Sequence, residues 1–262
     1  MRFTEENILN VQDTIWQTSE LTKAYLKGVR GAIPLANEQI DLMLRLAKAA
    51  QPQAKTILDL GCGDGILGQA LLEQYPEATA VFVDFSEPML EAARQRLRNR
   101  ENVIFVQGDY GKHGWQNRLE KIVNGQLSMV NCQFDVIVSG YSIHHQPDTR
   151  KKEVYAELHD LLTPGGIFLN IEHVASRTPW IQQQFDELFI DHLVVYAKKV
   201  QMGKNREQVA QEFYYRPDKA ANILASVEDQ CNWLREIGFE QVDCYLKIFE
   251  LAVFGGVKKE RG

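Results

Sequence analysis

The chain has 262 residues, 45% hydrophobic and 24% charged, enough for one sizeable α/β core with an appended lobe. A net charge of −6 and a pI near 5.6 argue against a large nucleic-acid-binding face. No apolar run is long enough to span a bilayer and Met1–Asn10 is polar and acidic, so the expected location is cytoplasmic, with no membrane partner. Four scattered cysteines, Cys62, Cys132, Cys231 and Cys244, form no C-x-x-C pair, which argues against a disulfide framework and against a zinc or other metal site.

In chain order, helical patterns come first, at Glu5–Ser19, Glu20–Lys27 and Leu35–Ala50. A β-type run, Ile57-Leu58-Asp59-Leu60, then stops at Gly61, and glycine recurs at Gly63, Gly65 and Gly68 before a helix-type segment at Gln69–Gln74. Such a strand, turning through glycines into a helix, presents bare backbone N–H groups and a helix N-terminus to a ligand. Gly63-x-Gly65-x-x-Gly68 satisfies the dinucleotide fingerprint, but that fingerprint wants its first glycine directly after the strand. The register in place is Asp59-x-Gly61-x-Gly63-x-Gly65. Taken alone, the segment is also compatible with a tight turn that binds nothing.

The next strand, Thr79–Asp84, ends in a carboxylate 23 residues after Gly61, near the spacing for an acid that accepts ribose hydroxyls. An anion there suits a 2′-hydroxyl and opposes a 2′-phosphate. Arg94–Arg100 reads as the solvated basic face of a helix. A third strand, Asn102–Gln107, closes on Gly108-Asp109-Tyr110, where an Asp is equally at home as a turn residue. The fourth, Phe134–Ser139, leads into Gly140-Tyr141-Ser142-Ile143-His144-His145. Leu161–Gly166 contains a Pro-Gly-Gly turn ahead of a fifth strand at Ile167–Ile171, with Glu172 and His173 just beyond it.

A helical insertion, roughly 178–222, carries Trp180, Phe185, Phe189, Tyr196, Phe213, Tyr214 and Tyr215. Aromatic residues at helical spacing mostly form core. An amphipathic helix at Val227–Glu236 ends at Gly238, and two β-rich runs, Gln241–Phe249 and Leu251–Lys258, follow, joined by a short acidic turn at Glu250.

In that order and register, the five strand segments and the closing pair resemble class I S-adenosylmethionine (SAM) dependent methyltransferases over roughly 55–172 and the C-terminal strands. The resemblance implies a doubly wound, seven-stranded Rossmann-like sheet with an antiparallel last strand. Its parts would be an N-terminal helical cap (1–54), a SAM-binding core (55–177), a helical lid (178–222) that shapes the acceptor pocket, and a closing helix and hairpin (223–262). Implied cofactor contacts are Asp59, Gly61, Cys62, Gly63, Asp84, Phe85, Asp109, Tyr110 and Ser139, with Asp109 on the adenine amino group and Tyr110 against its ring. Tyr25 and Arg30 are in reach of the methionine carboxylate, or are surface packing. SAM would be the cofactor and S-adenosylhomocysteine (SAH) the product.

Methyl transfer from a sulfonium needs alignment rather than a metal. A hydroxyl acceptor would also need a base, and His145 and then His144 are the catalytic candidates, with Glu172 and His173 behind them; each is equally readable as a structural hydrogen-bonder. The partner would be a small-molecule acceptor, no nucleic acid is expected, and aromatics in the insertion are compatible with a homodimer. Two alternatives stand beside this reading. One is an enzyme that modifies SAM itself, of the carboxy-SAM synthase type, with Arg216 as a candidate extra cation; the other is a SAM-binding protein without turnover. A dehydrogenase is disfavoured by the glycine register and the closing strands.

Overall fold

A computed structural model of the chain describes residues 30–126, 132–216, 219 and 221–260. The helices expected at Glu5–Ser19 and Glu20–Lys27, together with Tyr25 and the Arg30 side chain, lie outside the described residues.

Helix α1 (Ala36–Ala50) buries Met43 and Ala47 one turn apart. Strand β1 (Thr56–Leu60) and helix α2 (Ile66–Gln74) follow, then β2 (Thr79–Asp84) and α3 (Glu87–Arg96). The N-terminus of α3 is capped by the Ser86 side chain, which accepts the Met89 N–H, and Pro88 stands in its first turn. Next come β3 (Val103–Gln107), α4 (Trp115–Gln126), β4 (Phe134–Gly140), a 3₁₀ turn at Ile143–His145 and α5 (Asp148–Leu161). After β5 (Leu162–His173) and the insertion, α8 (Val227–Ile237) leads into β6 (Phe239–Ile248) and β7 (Leu251–Lys258). Gly238, at φ 112°, closes α8 in the left-handed conformation.

Among the described residues one seven-stranded sheet forms, in the order β3-β2-β1-β4-β5-β7-β6. A single row of partners, Val103, Ala80, Ile57, Val136, Ile167 and Val257, runs across six strands and fixes their register. Strand β7 runs antiparallel between β5 and β6, as the closing pair predicts. Alternate residues of the central strands face opposite layers, so both faces are apolar. Leu58, Leu60, Val81 and Val83 meet Leu119, Val154, Leu158 and Leu234 on one side. Ile57, Phe82, Val136 and Val138 meet Met43, Leu67, Leu71 and Leu90 on the other.

One expectation is corrected. The Pro-Gly-Gly segment does not precede the fifth strand as a turn. The strand already pairs at Leu162 with Phe134, and its next partner pair is Ile167 with Val136, so the residues between them bulge out of the ladder.

The described residues divide into two compact units. The larger comprises Glu38–Ala175 and the described residues from Ile223 onward, and it holds the sheet. The smaller comprises the described residues up to Asn37 and Ser176–Asn222. It contains α6 (Pro179–Lys199), α7 (Arg206–Val209) and a π-helical turn at Ala210–Tyr214. Its apolar cluster joins Ile190, Leu193, Ala197, Val209 and Tyr214. Of its aromatics, Phe185 and Tyr214 are buried, while Trp180 and Tyr215 are exposed.

Candidate active site

The carboxyl ends of β1 to β5 point to one edge of the sheet, and chain order reverses between β1 and β4. Ligands in open α/β sheets bind at such a switch point. On one side of it lies the glycine loop after β1. Gly61 and Gly63 have φ of 64° and 54°, a region that favours glycine. A Cβ on Gly61 would collide with the Ser142 side chain, whereas one on Gly63 would meet nothing within 4 Å. The Gly63 position is therefore open, and the Gly61 position is closed by protein.

The fully enclosed Asp59 carboxylate accepts the Gly68 N–H at 2.8 Å through Oδ2 and so braces the first turn of α2 from beneath. Cys62 is buried, and its N–H donates to the Val83 carbonyl at 3.0 Å. Ser139 Oγ donates to the Leu60 carbonyl at 2.8 Å and ties β4 to β1. Arg96 stays on the exposed face expected of its basic run and also pairs with the buried Asp64 of the glycine loop.

Asp84 ends β2. Its Oδ2 accepts the Gly63 N–H at 2.8 Å and its Oδ1 the Ser86 N–H at 2.9 Å. Burial pushes its pKa up to about 6, against the pull of these backbone N–H donors. Phe85, next along, is half-buried. Past β3, Asp109 accepts the Gly111 N–H at 2.9 Å and pairs with Lys112 at 2.9 Å. The Tyr110 hydroxyl and Ser142 Oγ share a hydrogen bond of 2.6 Å. The Tyr110 ring thus lies over Gly61, and burial raises its phenol well above the usual range.

On the other side of the switch point lies a cluster of histidines and glutamates. His144 Nδ1 is 2.6 Å from Glu172 Oε1, and the His144 N–H donates to Glu172 Oε2 at 3.1 Å. The half-buried His145 ring sits 4.0 Å from that of His144. His173 Nε2 reaches Glu250 at 2.8 Å, and the His173 N–H donates to Glu172 Oε1 at 2.8 Å. Burial pushes Glu172 up to about 7, opposed by the His173 N–H and by the positive potential of His145 and His173. Glu250 lies in the turn between β6 and β7, as the sequence reading expects, and is buried there beside His173.

Sequence reasoning missed Ser142, Glu250, Arg150 and Lys151. The last two form a charged pair of adjacent residues that reads as helix surface, yet both are buried.

Fold and edge together define a Rossmann-like α/β protein with a glycine loop for a nucleoside-bearing ligand and an acid–base cluster beside it. Residues 58–168 match a family model described as a methyltransferase domain. The chain is 33% identical over 212 residues to malonyl-[acyl-carrier protein] O-methyltransferase from Halalkalibacterium halodurans, covering 78% of this chain and 73% of that protein. It is 26% identical over 238 residues to carboxy-S-adenosyl-L-methionine synthase from Desulforapulum autotrophicum, covering 88% of this chain and 85% of that one. Among solved structures, an O-methyltransferase family protein from Burkholderia thailandensis shares the fold with a TM-score of 0.64 at 16% identity. That match takes in 100% of this chain, which spans just under two thirds (65%) of the other.

The chain belongs to the class I SAM-dependent methyltransferases. It is an enzyme whose cofactor is SAM and whose acceptors are small molecules.

Proposed function

We propose that this methyltransferase acts on a proton-bearing oxygen, a hydroxyl of a small molecule, and uses the histidine cluster to remove its proton. The observation that carries the reading is the division of the sheet edge. Backbone donors and Asp84 lie at β1 and β2, and the His144–Glu172 and His173–Glu250 pairs lie at β4, β5 and the start of β7.

On the cofactor side, the open space ahead of Gly63 suits close approach of a ligand to the backbone. Asp84 would accept the ribose hydroxyls, Asp109 the adenine amino group, and Tyr110 would flank the ring. Asp59, Cys62 and Ser139 act through the loop they hold. SAM supplies a methyl group already activated on a sulfonium, so the protein's contribution is alignment and proton management.

On the acceptor side, His145 would take the proton. His144, fixed by Glu172, packs against it and sets its ring orientation. The O-methyltransferase name of the 33% relative agrees with an oxygen acceptor. The long match to carboxy-SAM synthase supports a second reading, in which SAM itself is modified.

Incubation with methyl-labelled SAM and a panel of hydroxyl, amine and thiol acceptors tests the proposal, with products identified by mass spectrometry. Expected are methyl ethers, and a loss of about 10²–10⁴ in turnover for His145→Ala with SAH affinity retained. Methylation of amines or thiols independent of His145 would overturn the hydroxyl reading. With a carboxyl donor added to the mixture, a SAM derivative carrying the transferred carboxyl group would establish the second one.

A further inference from the structure

Helix α5 begins three residues after His145, and its third and fourth residues are Arg150 and Lys151. Both are almost wholly enclosed, at 6% and 0% exposure. A buried cation is costly unless its donors are satisfied. These two satisfy theirs in different directions.

Arg150 Nε and Nη2 both donate to the Tyr110 carbonyl, at 3.0 and 2.7 Å. The far edge of the guanidinium forks onto Glu157 at 2.9 and 2.8 Å, and Nη1 also reaches Glu153 at 3.1 Å. Trp115 Nε1 donates to the same Glu157 at 2.7 Å. All five guanidinium N–H groups have acceptors in this arrangement. The group therefore pins the backbone of the Asp109–Tyr110 segment to α5. A lysine ammonium lacks the planar fork needed to hold a carbonyl and a carboxylate at once.

Lys151 Nζ donates to the Ile223 carbonyl and to Asp148 Oδ1, the latter at 2.6 Å. Ile223 in turn donates its N–H to the His144 carbonyl at 3.0 Å. The segment from Ile223 thus forms a bridge between Lys151 and the histidine turn. Ala175, at the end of the β5 segment, donates its N–H to the Ala225 carbonyl at 2.9 Å and holds the same bridge from the other side.

We infer that Arg150 and Lys151 are paired positioning residues: Arg150 sets the cofactor-side Tyr110 segment, and Lys151 sets the His144 turn through Ile223. The inference deepens the proposed reading of the site and rests on it. One helix turn would hold both halves of the reacting geometry in mutual register, a function that neither residue could perform from the sheet edge itself.

The test is a double dissociation that needs no identified acceptor. SAH affinity is measured by calorimetry, and the His144 imidazole is followed by ¹⁵N NMR across pH 5–8. Arg150→Lys is expected to weaken SAH by at least about tenfold and leave the His144 signals in place, since the bidentate hold is lost while the charge is kept. Lys151→Met is expected to shift the His144 titration midpoint by about half a unit or more and leave SAH affinity within about twofold.

If Lys151→Met does not fold, Asp148→Asn loosens the same ammonium from an exposed position and is expected to move His144 in the same direction. Glu157→Gln serves likewise for Arg150. Unchanged SAH affinity in Arg150→Lys, or an unmoved His144 in Lys151→Met, would overturn the inference. So would parallel loss of both readouts in both variants, which is the pattern of general destabilisation. Wild-type protein that fails to bind SAH would instead overturn the cofactor reading underneath, a result distinct from any of these.

Discussion

Gly61 and Gly63 share a loop and a positive φ, but a methyl group added to each meets different surroundings. At Gly61 the new Cβ collides with Ser142, so Gly61→Ala combines backbone strain of about 1–2 kcal/mol with a forced shift of the Ser142–Tyr110 contact. At Gly63 only the strain applies. Thermal unfolding is therefore expected to show Gly61→Ala clearly less stable than Gly63→Ala, whereas SAH titration of Gly63→Ala should show a loss of affinity larger than its loss of stability. Equal SAH affinity in Gly63→Ala and wild type would mean that no ligand approaches there.

Asp84 allows a second prediction at this scale. Its carboxyl, at about 6 in the ligand-free protein, must be ionised to accept two ribose hydroxyls well. SAH affinity is expected to be flat above pH 7 and to fall about tenfold by pH 5, one unit below that pKa. In Asp84→Asn the fall disappears. Both groups were legible in the sequence because glycine spacing and a strand-ending acid are local patterns. Arg150 was not, because its partner Tyr110 lies 40 residues away and nothing near it in sequence marks it as buried.

At the scale of elements, the ends of β4, β5 and β7 concentrate charge that the core does not solvate. Glu172 is enclosed, and its pKa is raised from 4.5 to about 7. A raised carboxyl pKa means that the folded chain holds the proton more tightly than the unfolded chain. The corresponding stability is fully present below pH 4.5 and is lost as pH rises through 7, on the order of 3 kcal/mol in all. Glu172→Gln removes that dependence while keeping one acceptor for the His144 and His173 N–H groups. Its Tm relative to wild type is expected to rise by roughly 5 °C or more between pH 5 and pH 8, whatever the offset between the two at pH 5. A constant offset across that range would place the Glu172 proton elsewhere. The strands that build this edge were readable from their apolar runs. The pairing of His173 with Glu250 was not, since it spans 77 residues and forms only once β7 has inserted antiparallel beside β5. The Pro-Gly-Gly bulge was misread for a related reason: its residues have turn chemistry, and only the ladder shows that Leu162 is already paired before them.

At the scale of the whole molecule, the proposed cofactor contacts from Asp59 to Ser139 fall within Glu38–Ala175, and the smaller unit interrupts the larger one at a single place. The chain leaves at Ala175 and has returned by Ala225, where the two backbones are hydrogen-bonded at 2.9 Å. Loop-closure cost grows only slowly with length, so replacing 176–222 by a short flexible linker adds little entropy to the larger unit and even shortens the loop it must close. Helix α1, which covers one face of the sheet through Met43 and Ala47, remains if the chain starts at Pro34. The shortened chain is therefore expected to fold cooperatively and to bind SAH within about tenfold of the full chain. Retained binding would locate the cofactor determinants in the larger unit and leave acceptor choice as the property to seek in the smaller one. Loss of binding from a folded, monomeric shortened chain would show instead that the smaller unit supplies part of the cofactor site.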